Sequence, residues 1–111
     1  MNINEVNKME LEEILEISVL FNYYKNLLSG KQKEYLADYL EDDLSLSEIA
    51  KNHEVTRQAV YDNIRRGIKL LYEYEEKIGF YKKECEIETE LENLKKDMKI
   101  ENIDKIIEKM F

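Results

Sequence analysis

Proline is absent from this 111-residue sequence, and glycine occurs at only three positions, Gly30, Gly67 and Gly79. Few residues can therefore break a helix, and the charged residues, 38% of the chain, are mostly Glu and Lys, which are good helix formers. The composition predicts an all-α fold. Hydrophobic residues make up 43% of the chain, enough for the core of one domain or of a small head with an extension.

Cysteine and histidine each occur only once, at Cys85 and His53. A single cysteine can form neither an intrachain disulfide nor a Cys₂ or Cys₄ zinc site, so we expect both residues to be structural. A glycine-rich phosphate loop, an H-E-x-x-H motif and a G-x-S-x-G motif are missing as well. We therefore expect no metal, no cofactor and no enzymatic activity.

The N-terminal sequence MNINEVNKMELEE lacks the basic-then-apolar order of a signal peptide. No uninterrupted apolar run approaches the roughly eighteen residues of a membrane span. From these two absences we expect a soluble, cytoplasmic protein with no membrane association.

The net charge of −8 is unevenly distributed along the chain. Residues 1–43 carry 4 basic and 10 acidic side chains, residues 44–72 carry 5 and 3, and residues 73–111 carry 8 and 12. All three arginines lie in the middle segment, which is the only one with a net positive charge. A phosphate backbone would be attracted there and repelled by both ends.

Apolar spacing and capping signals predict three helices in the first half of the chain. The first is expected from Val6 to Leu28, with Leu11, Leu15 and Phe21 on its apolar side. A left-handed glycine at Gly30 is expected to end it.

Two sequences have the form of a capping box, in which Ser is followed three residues later by Gln or Glu. Ser29 with Gln32 predicts the start of a second helix that reaches Leu40. Ser45 with Glu48 predicts a third helix from Leu46 to Asn52.

The stretch SLSEIAKNHEVTRQAVYDNIRRG, Ser45 to Gly67, predicts a helix-turn-helix. Ala50 is the small residue where the two helices would cross, His53-Glu54-Val55 is the turn, and Thr56 is a good N-cap for the next helix. Glu54 takes the place where this turn commonly holds a glycine with positive φ, at a cost on the order of 1 kcal/mol. The alternative is a corner in a helical core, with solvated arginines.

If Val60, Ile64 and Ile68 point inward, polar side chains lie on the outward side of the helix after the turn. Arg can bond guanine and Gln can bond adenine, so Arg57 and Gln58 suit base edges. Most of the others suit phosphates, which position a protein without specifying a sequence, whereas Asp62 would repel them. The predicted nucleic-acid-binding residues are Thr56, Arg57, Gln58, Tyr61, Arg65, Arg66 and Lys69.

Beyond the turn, apolar residues alternate at spacings of three and four, as in the seam of a coiled coil. We predict that Leu71, Tyr74, Ile78 and Tyr81 mediate dimerisation, because this helix is long for so small a head. Alternatively, the seam folds back on the first helix and buries residues 15, 21 and 28 in the same chain.

The last part of the chain is expected to be helical with one weak point, at Gly79. Asn102 is expected to cap a short final helix. The predicted organisation is a helix-turn-helix domain at residues 1–72 and a helical extension at residues 73–111.

Residues 20 to 80 contain three informative stretches, FNYYKNLLSGKQ, KQKEYLADYLEDDLSLSEIAKNHEVTRQAVYDNIRR and YEEKIG. Through these stretches the sequence resembles the YlxM family of small bacterial helix-turn-helix proteins, and RQAVYDNI is the most specific part of the resemblance. The head of that family is similar to region 4 of bacterial sigma factors, which reads the −35 promoter element. Its genes lie beside that of the GTPase of the signal recognition particle, so the resemblance also implies a connection with that particle.

Two functions follow as hypotheses. The first is a regulatory protein that binds double-stranded DNA as a homodimer, with RNA as an open alternative. The second is an accessory factor of the signal recognition particle that contacts protein or RNA through an acidic, tyrosine-rich surface and has no specific DNA readout.

Overall fold

In the computed structural model, which describes residues 9–111, all regular elements of the described part are helical. The chain is thus all-α, as its composition predicts. The α-helices are α1 (Leu11–Tyr24), α2 (Gly30–Leu40), α3 (Leu46–His53), α4 (Arg57–Ile78), α5 (Phe80–Lys96) and α6 (Ile100–Met110), with a single 3₁₀ turn at Lys25–Leu27.

Both predicted capping boxes are confirmed. The Ser29 Oγ accepts from the Gln32 N–H at 3.3 Å, while the Gln32 Oε1 accepts from the Ser29 N–H at 3.1 Å. Ser45 and Glu48 form the same pair of bonds, both 3.1 Å long, at the start of α3. A good N-cap stabilises a helix by about 1 kcal/mol, so these local bonds fix where α2 and α3 begin.

The predicted C-terminal end of the first helix needs correction. The predicted start at Val6 lies outside the described residues, within which this helix is Leu11–Tyr24. A left-handed glycine does not end it. Instead α1 passes into the 3₁₀ turn, Leu28 has extended backbone with ψ 157°, and Gly30 is already the first residue of α2.

The chain divides into two compact units, one ending at Tyr74 and the other comprising Glu75–Phe111. The first unit, here called the head, contains all the buried hydrophobic side chains of the described residues. They are Ile17, Leu20, Phe21, Tyr24, Leu28, Tyr35, Leu36, Leu46, Ile49, Ala50, Val60, Tyr61, Ile64, Ile68 and Leu71.

The predicted apolar side of the first helix is wrong in its first half. Leu11 is 70% exposed and Leu15 is 56% exposed, whereas Ile17 and Leu20 are buried. The first helix is apolar on two sides, and periodicity alone does not tell which side faces the core.

The second unit, here called the hairpin, comprises the last turn of α4 together with α5 and α6, and α5 and α6 pack against each other. Gly79 has a φ of 73°, in the left-handed region, and it separates α4 from α5. The Glu75 carboxylate accepts the N–H groups of Tyr81 and Lys82, both at 3.1 Å, and so caps α5. The weak point predicted at Gly79 is therefore a complete break, and no continuous seam passes through it.

The last helix begins earlier than predicted. Lys99 is its N-cap residue, and Asn102 lies inside α6, where its Nδ2 donates to the Asp97 carbonyl at 2.6 Å. Within residues 9–111, none of the helices has both the length and the apolar composition that crossing a lipid bilayer requires.

Candidate nucleic-acid interface

The helix-turn-helix is built on a left-handed residue at the end of α3. Glu54 has φ 56° and ψ 43°, its N–H donates to the Lys51 carbonyl at 3.3 Å, and the Val55 N–H donates to the Ala50 carbonyl at 3.0 Å. These two bonds form a Schellman motif, which normally uses glycine at the left-handed position. The prediction that Glu54 takes the place of that glycine is confirmed.

Apolar side chains on both sides of the turn are buried in the head. Ile49, Val60 and Ile64 are fully buried, and Ala50 is 6% exposed. Val55, just after the turn, is half-buried. The Thr56 Oγ accepts from the Ala59 N–H at 3.0 Å, which caps the first turn of α4 as expected.

A second set of contacts, which sequence patterns do not predict, joins the turn to α2. The His53 Nε2 lies 2.8 Å from the Asp38 Oδ2. The edge of the His53 ring also packs against Tyr35, with the ring centroids 4.9 Å apart, and the Lys31 Nζ lies 5.8 Å from the centroid of that tyrosine ring. His53 and Asp38 are fifteen residues apart, so only the tertiary fold brings them together.

Most of the predicted interface residues lie at the surface. Arg57, Arg65 and Arg66 are exposed, as are Thr56, Gln58 and Lys69. Among the described residues 9–111, no carboxylate forms an ion pair with any of the three arginines. Their charge is therefore not neutralised within the described part of the chain.

Two of the predicted residues have other contacts. Tyr61 is only 4% exposed, so its predicted outward position is wrong. It lies three and seven residues before the buried Ile64 and Ile68, which places it on the core stripe of α4. Gln58 is exposed, but its Nε2 donates to the Asp62 Oδ1 at 2.9 Å, so its amide must leave this acid before it can bond a base.

The predicted dimer seam also needs correction. Leu71 is fully buried in the head, and the Tyr74 hydroxyl donates to the Leu27 carbonyl at 3.0 Å. The ring of Tyr74 also packs on that of Tyr24, with centroids 6.1 Å apart. Leu71 belongs to the core of its own chain and Tyr74 makes contacts within it, whereas Ile78 is 44% exposed and Tyr81 is half-buried.

The alternative, in which the seam folds back within the chain, holds in part. Phe21 and Leu28 are buried as that alternative requires, but Leu15 is not. Within residues 9–111, no three His, Cys, Asp or Glu side chains converge into a group that could hold a metal ion.

Comparison with known proteins gives a family match over most of the chain. A family model described as "Putative helix-turn-helix protein, YlxM / p13 like" (UPF0122) matches residues 11–110. A UPF0122 protein of Fusobacterium nucleatum is 57% identical over 102 residues, which are 92% of this chain and 99% of the relative. The UPF0122 protein YlxM of Bacillus subtilis is 51% identical over 75 residues, 68% of each chain.

Proposed function

The chain belongs to the UPF0122 family of YlxM/p13-like helix-turn-helix proteins, and we propose that it is a regulatory protein that binds double-stranded DNA through α4. The observation that carries the proposal is the exposed group of Arg57, Arg65 and Arg66, without ion pairs in the described residues, on the helix after a helix-turn-helix bend. This helix corresponds to the recognition helix, whose N-terminal residues reach base edges in the major groove.

The residues at the start of α4 have different roles in this proposal. Arg57 reads a base edge, and guanine is the base that its guanidinium bonds best. Gln58 reads adenine only after it exchanges its bond with Asp62 for a bond to the base, so its contribution to specificity is small. Tyr61 has no part in the interface, because its side chain is buried.

The remaining cations hold the phosphate backbone. Arg65, Arg66 and Lys69 are exposed on the same stretch of α4, and they contact phosphates without reading sequence. Both flanking segments of the chain are acidic, so non-specific attraction to DNA is weak. Because the phosphate contacts are electrostatic, binding depends steeply on salt.

Dimerisation is proposed for the hairpin. Neither α5 nor α6 contains a buried residue, although the two helices pack on each other. Units of fewer than about 40 residues rarely form a sufficient core alone, and the hairpin is Glu75–Phe111. A second copy would supply the missing core through Leu91, Ile103 and Ile107, which are 43%, 42% and 49% exposed.

A mobility-shift assay with duplex DNA at low salt tests the proposal. The double variant Arg57→Ala, Gln58→Ala is expected to lose sequence preference, while the matched variant Lys82→Ala, Lys83→Ala in the hairpin is expected to retain it. Equal retardation by wild type and the first variant would remove base readout from the proposal. Duplex RNA as competitor distinguishes the two nucleic acids.

The connection with the signal recognition particle stays a prediction that rests on the family resemblance. The corresponding experiment is a pull-down of the full chain against the GTPase and the RNA of the particle. If neither component is recovered, the accessory-factor hypothesis fails and only the DNA-binding hypothesis remains.

A further inference from the structure

The outward side of α1 carries an apolar ridge at a spacing of four residues. The ridge consists of Leu11, Leu15, Val19 and Tyr23. Leu11 is 70% exposed, Leu15 56% and Tyr23 37%, and Val19 is half-buried. The opposite side of the same helix is the core side, with Ile17, Leu20, Phe21 and Tyr24.

A helix that is apolar on two opposite sides is normally covered on both. Side chains at a spacing of four form the ridge that inserts into the groove of a second helix, the commonest helix–helix packing in globular proteins. Leu11 and Leu15, each more than half exposed and aligned on one side of α1, therefore have the geometry of a surface that packs against another helix.

Acidic side chains border this ridge. Glu12 and Glu16 follow Leu11 and Leu15 directly, and both are exposed. Tyr72 of α4 is 40% exposed. Burial of the rest of its side chain raises the pKa of its hydroxyl, and the negative charges of Glu16 and Glu13 raise this pKa further. The ridge is thus an apolar line along a negatively charged edge of the head.

We propose that the ridge docks an amphipathic helix of a partner protein, with aliphatic side chains at a spacing of four and Lys or Arg beside them. The carboxylates of Glu12 and Glu16 select the basic residues, and the leucines supply the buried area. Nucleic acid is excluded as the occupant, because phosphates would meet carboxylates on this side.

A second copy of the chain is a poorer occupant. In a twofold antiparallel pairing of α1 with itself, the same edge of the interface receives Glu12 and Glu16 from both chains. Like charges that are brought together in this way destabilise a complex, so the carboxylates disfavour pairing of α1 with a second copy of itself. The ridge is also separate from Arg57, Arg65 and Arg66, so this inference does not depend on DNA binding.

The probe for the test is a synthetic helical peptide of about twenty residues, with leucines at a spacing of four and lysines beside them, long enough to match α1. It is titrated into the ¹⁵N-labelled full chain. We expect amide shifts confined to α1 and to the neighbourhood of Tyr72. A peptide with glutamates in place of the lysines should cause none.

Three variants make the result specific. Leu15→Asp is expected to weaken binding of the lysine peptide about tenfold or more, since burial of a leucine contributes about 1.5–3 kcal/mol. Ile100→Asp, at a 77% exposed apolar position of α6, is the matched control and should bind normally. The double variant Glu12→Lys, Glu16→Lys should reverse the preference and bind the glutamate peptide.

Several outcomes would overturn the proposal. Shifts elsewhere on the molecule, or equal binding by the Leu15→Asp variant, would show that the ridge is not the docking site. Shifts of the same amides that depend on protein concentration without peptide would identify a second copy as the occupant. Circular dichroism and DNA retention are measured for each variant, so loss of folding or of DNA binding is recognised separately.

Discussion

A β-carbon added to Gly67 of α4 would lie 2.6 Å from the Cδ1 of Leu36 in α2. Leu36 is fully buried, so any shift of its Cδ1 has to be accommodated by the surrounding core side chains. The next nearest atom is the Gln32 Cβ, at 3.5 Å. The missing side chain at Gly67 thus leaves room for the Cδ1 of Leu36 where α4 passes α2.

We predict that Gly67→Ala destabilises the protein by about 1 kcal/mol. Overpacking of a core costs about 1–3 kcal/mol, and the gain in helix propensity offsets only about 1 kcal/mol of it. Urea unfolding measures the difference. Gly30→Ala is the control, because nothing lies within 4 Å of a β-carbon there. Equal or greater stability of Gly67→Ala would show that Leu36 yields freely.

Replacement of Glu54 by glycine should stabilise the protein by about 1 kcal/mol. An L-residue in the left-handed region costs about 1–2 kcal/mol, while glycine adopts that region without steric cost but loses more entropy on folding. Thermal unfolding is the measurement. Glu34→Gly, at an exposed position inside α2, should instead destabilise by roughly 1 kcal/mol. A loss of stability in Glu54→Gly would contradict the strain inferred at the turn.

The capping box of α3 predicts a pH dependence. The backbone N–H of Ser45, and then its side chain, hold the pKa of Glu48 below the usual value of 4.5. Because the pKa is lower in the folded state, the stabilising contribution is fully present above the unfolded pKa. It is lost as the pH falls through the lower, folded value. Glu48→Gln should remove this part of the acid dependence.

Carboxyl NMR titration measures the pKa of Glu48 directly. In Ser45→Ala the pKa should move back towards 4.5, and stability should fall by about 1 kcal/mol. Ser47→Ala, at an exposed serine inside α3, is the control and should leave the pKa of Glu48 in place. An unchanged pKa in Ser45→Ala would exclude the Ser45 side chain as a cause and leave the shift to the Ser45 backbone N–H alone.

The salt dependence of DNA binding should report the number of cations in the interface. The three phosphate-contacting side chains of each head, Arg65, Arg66 and Lys69, predict a contribution of about −3 per bound head to the slope of log K against log salt. Lys69→Ala should flatten the slope by about 1 per bound head and weaken all DNA sequences alike. Lys82→Ala, in the hairpin, should leave it unchanged. A slope near zero would argue against a phosphate interface on α4.

Light scattering of the full chain tests the proposed dimer. The double variant Ile103→Glu, Ile107→Glu should be monomeric at concentrations where wild type is dimeric, because it places charges in the missing core of the hairpin. Lys105→Glu changes the net charge by the same amount on the same helix and should remain dimeric. A monomeric wild type would refute dimerisation.

Short-range signals were sufficient for much of the head. The two capping boxes, the turn at Glu54 and the cap at Thr56 involve residues at most five positions apart, and the sequence predicts all of them. The buried Val60, Ile64 and Ile68 also follow from their spacing. Only the predicted glycine cap at Gly30 fails among these local features, because the same Ser-Gly pair opens α2 and cannot also end α1.

Features that depend on the neighbouring helix could not be predicted in this way. Tyr61 and Leu71 were expected at surfaces and are buried, while Leu15 was expected in contact with other elements and is exposed. The pair His53–Asp38 and the approach of Gly67 to Leu36 join residues on different helices. Nothing in the spacing along one helix tells how wide its buried stripe is.

The amino-acid sequence by itself determined that the chain is helical, where α2, α3 and α4 begin, and that it bends at Glu54, because propensity, capping and left-handed turns depend on a few adjacent residues. Only the tertiary structure decided which side of α1 is buried, that Leu71 and Tyr74 stay within their own chain, and that the arginines of α4 remain at the surface. Burial depends on the close packing of residues that lie far apart along the chain, and a linear pattern with two apolar sides is compatible with more than one such packing.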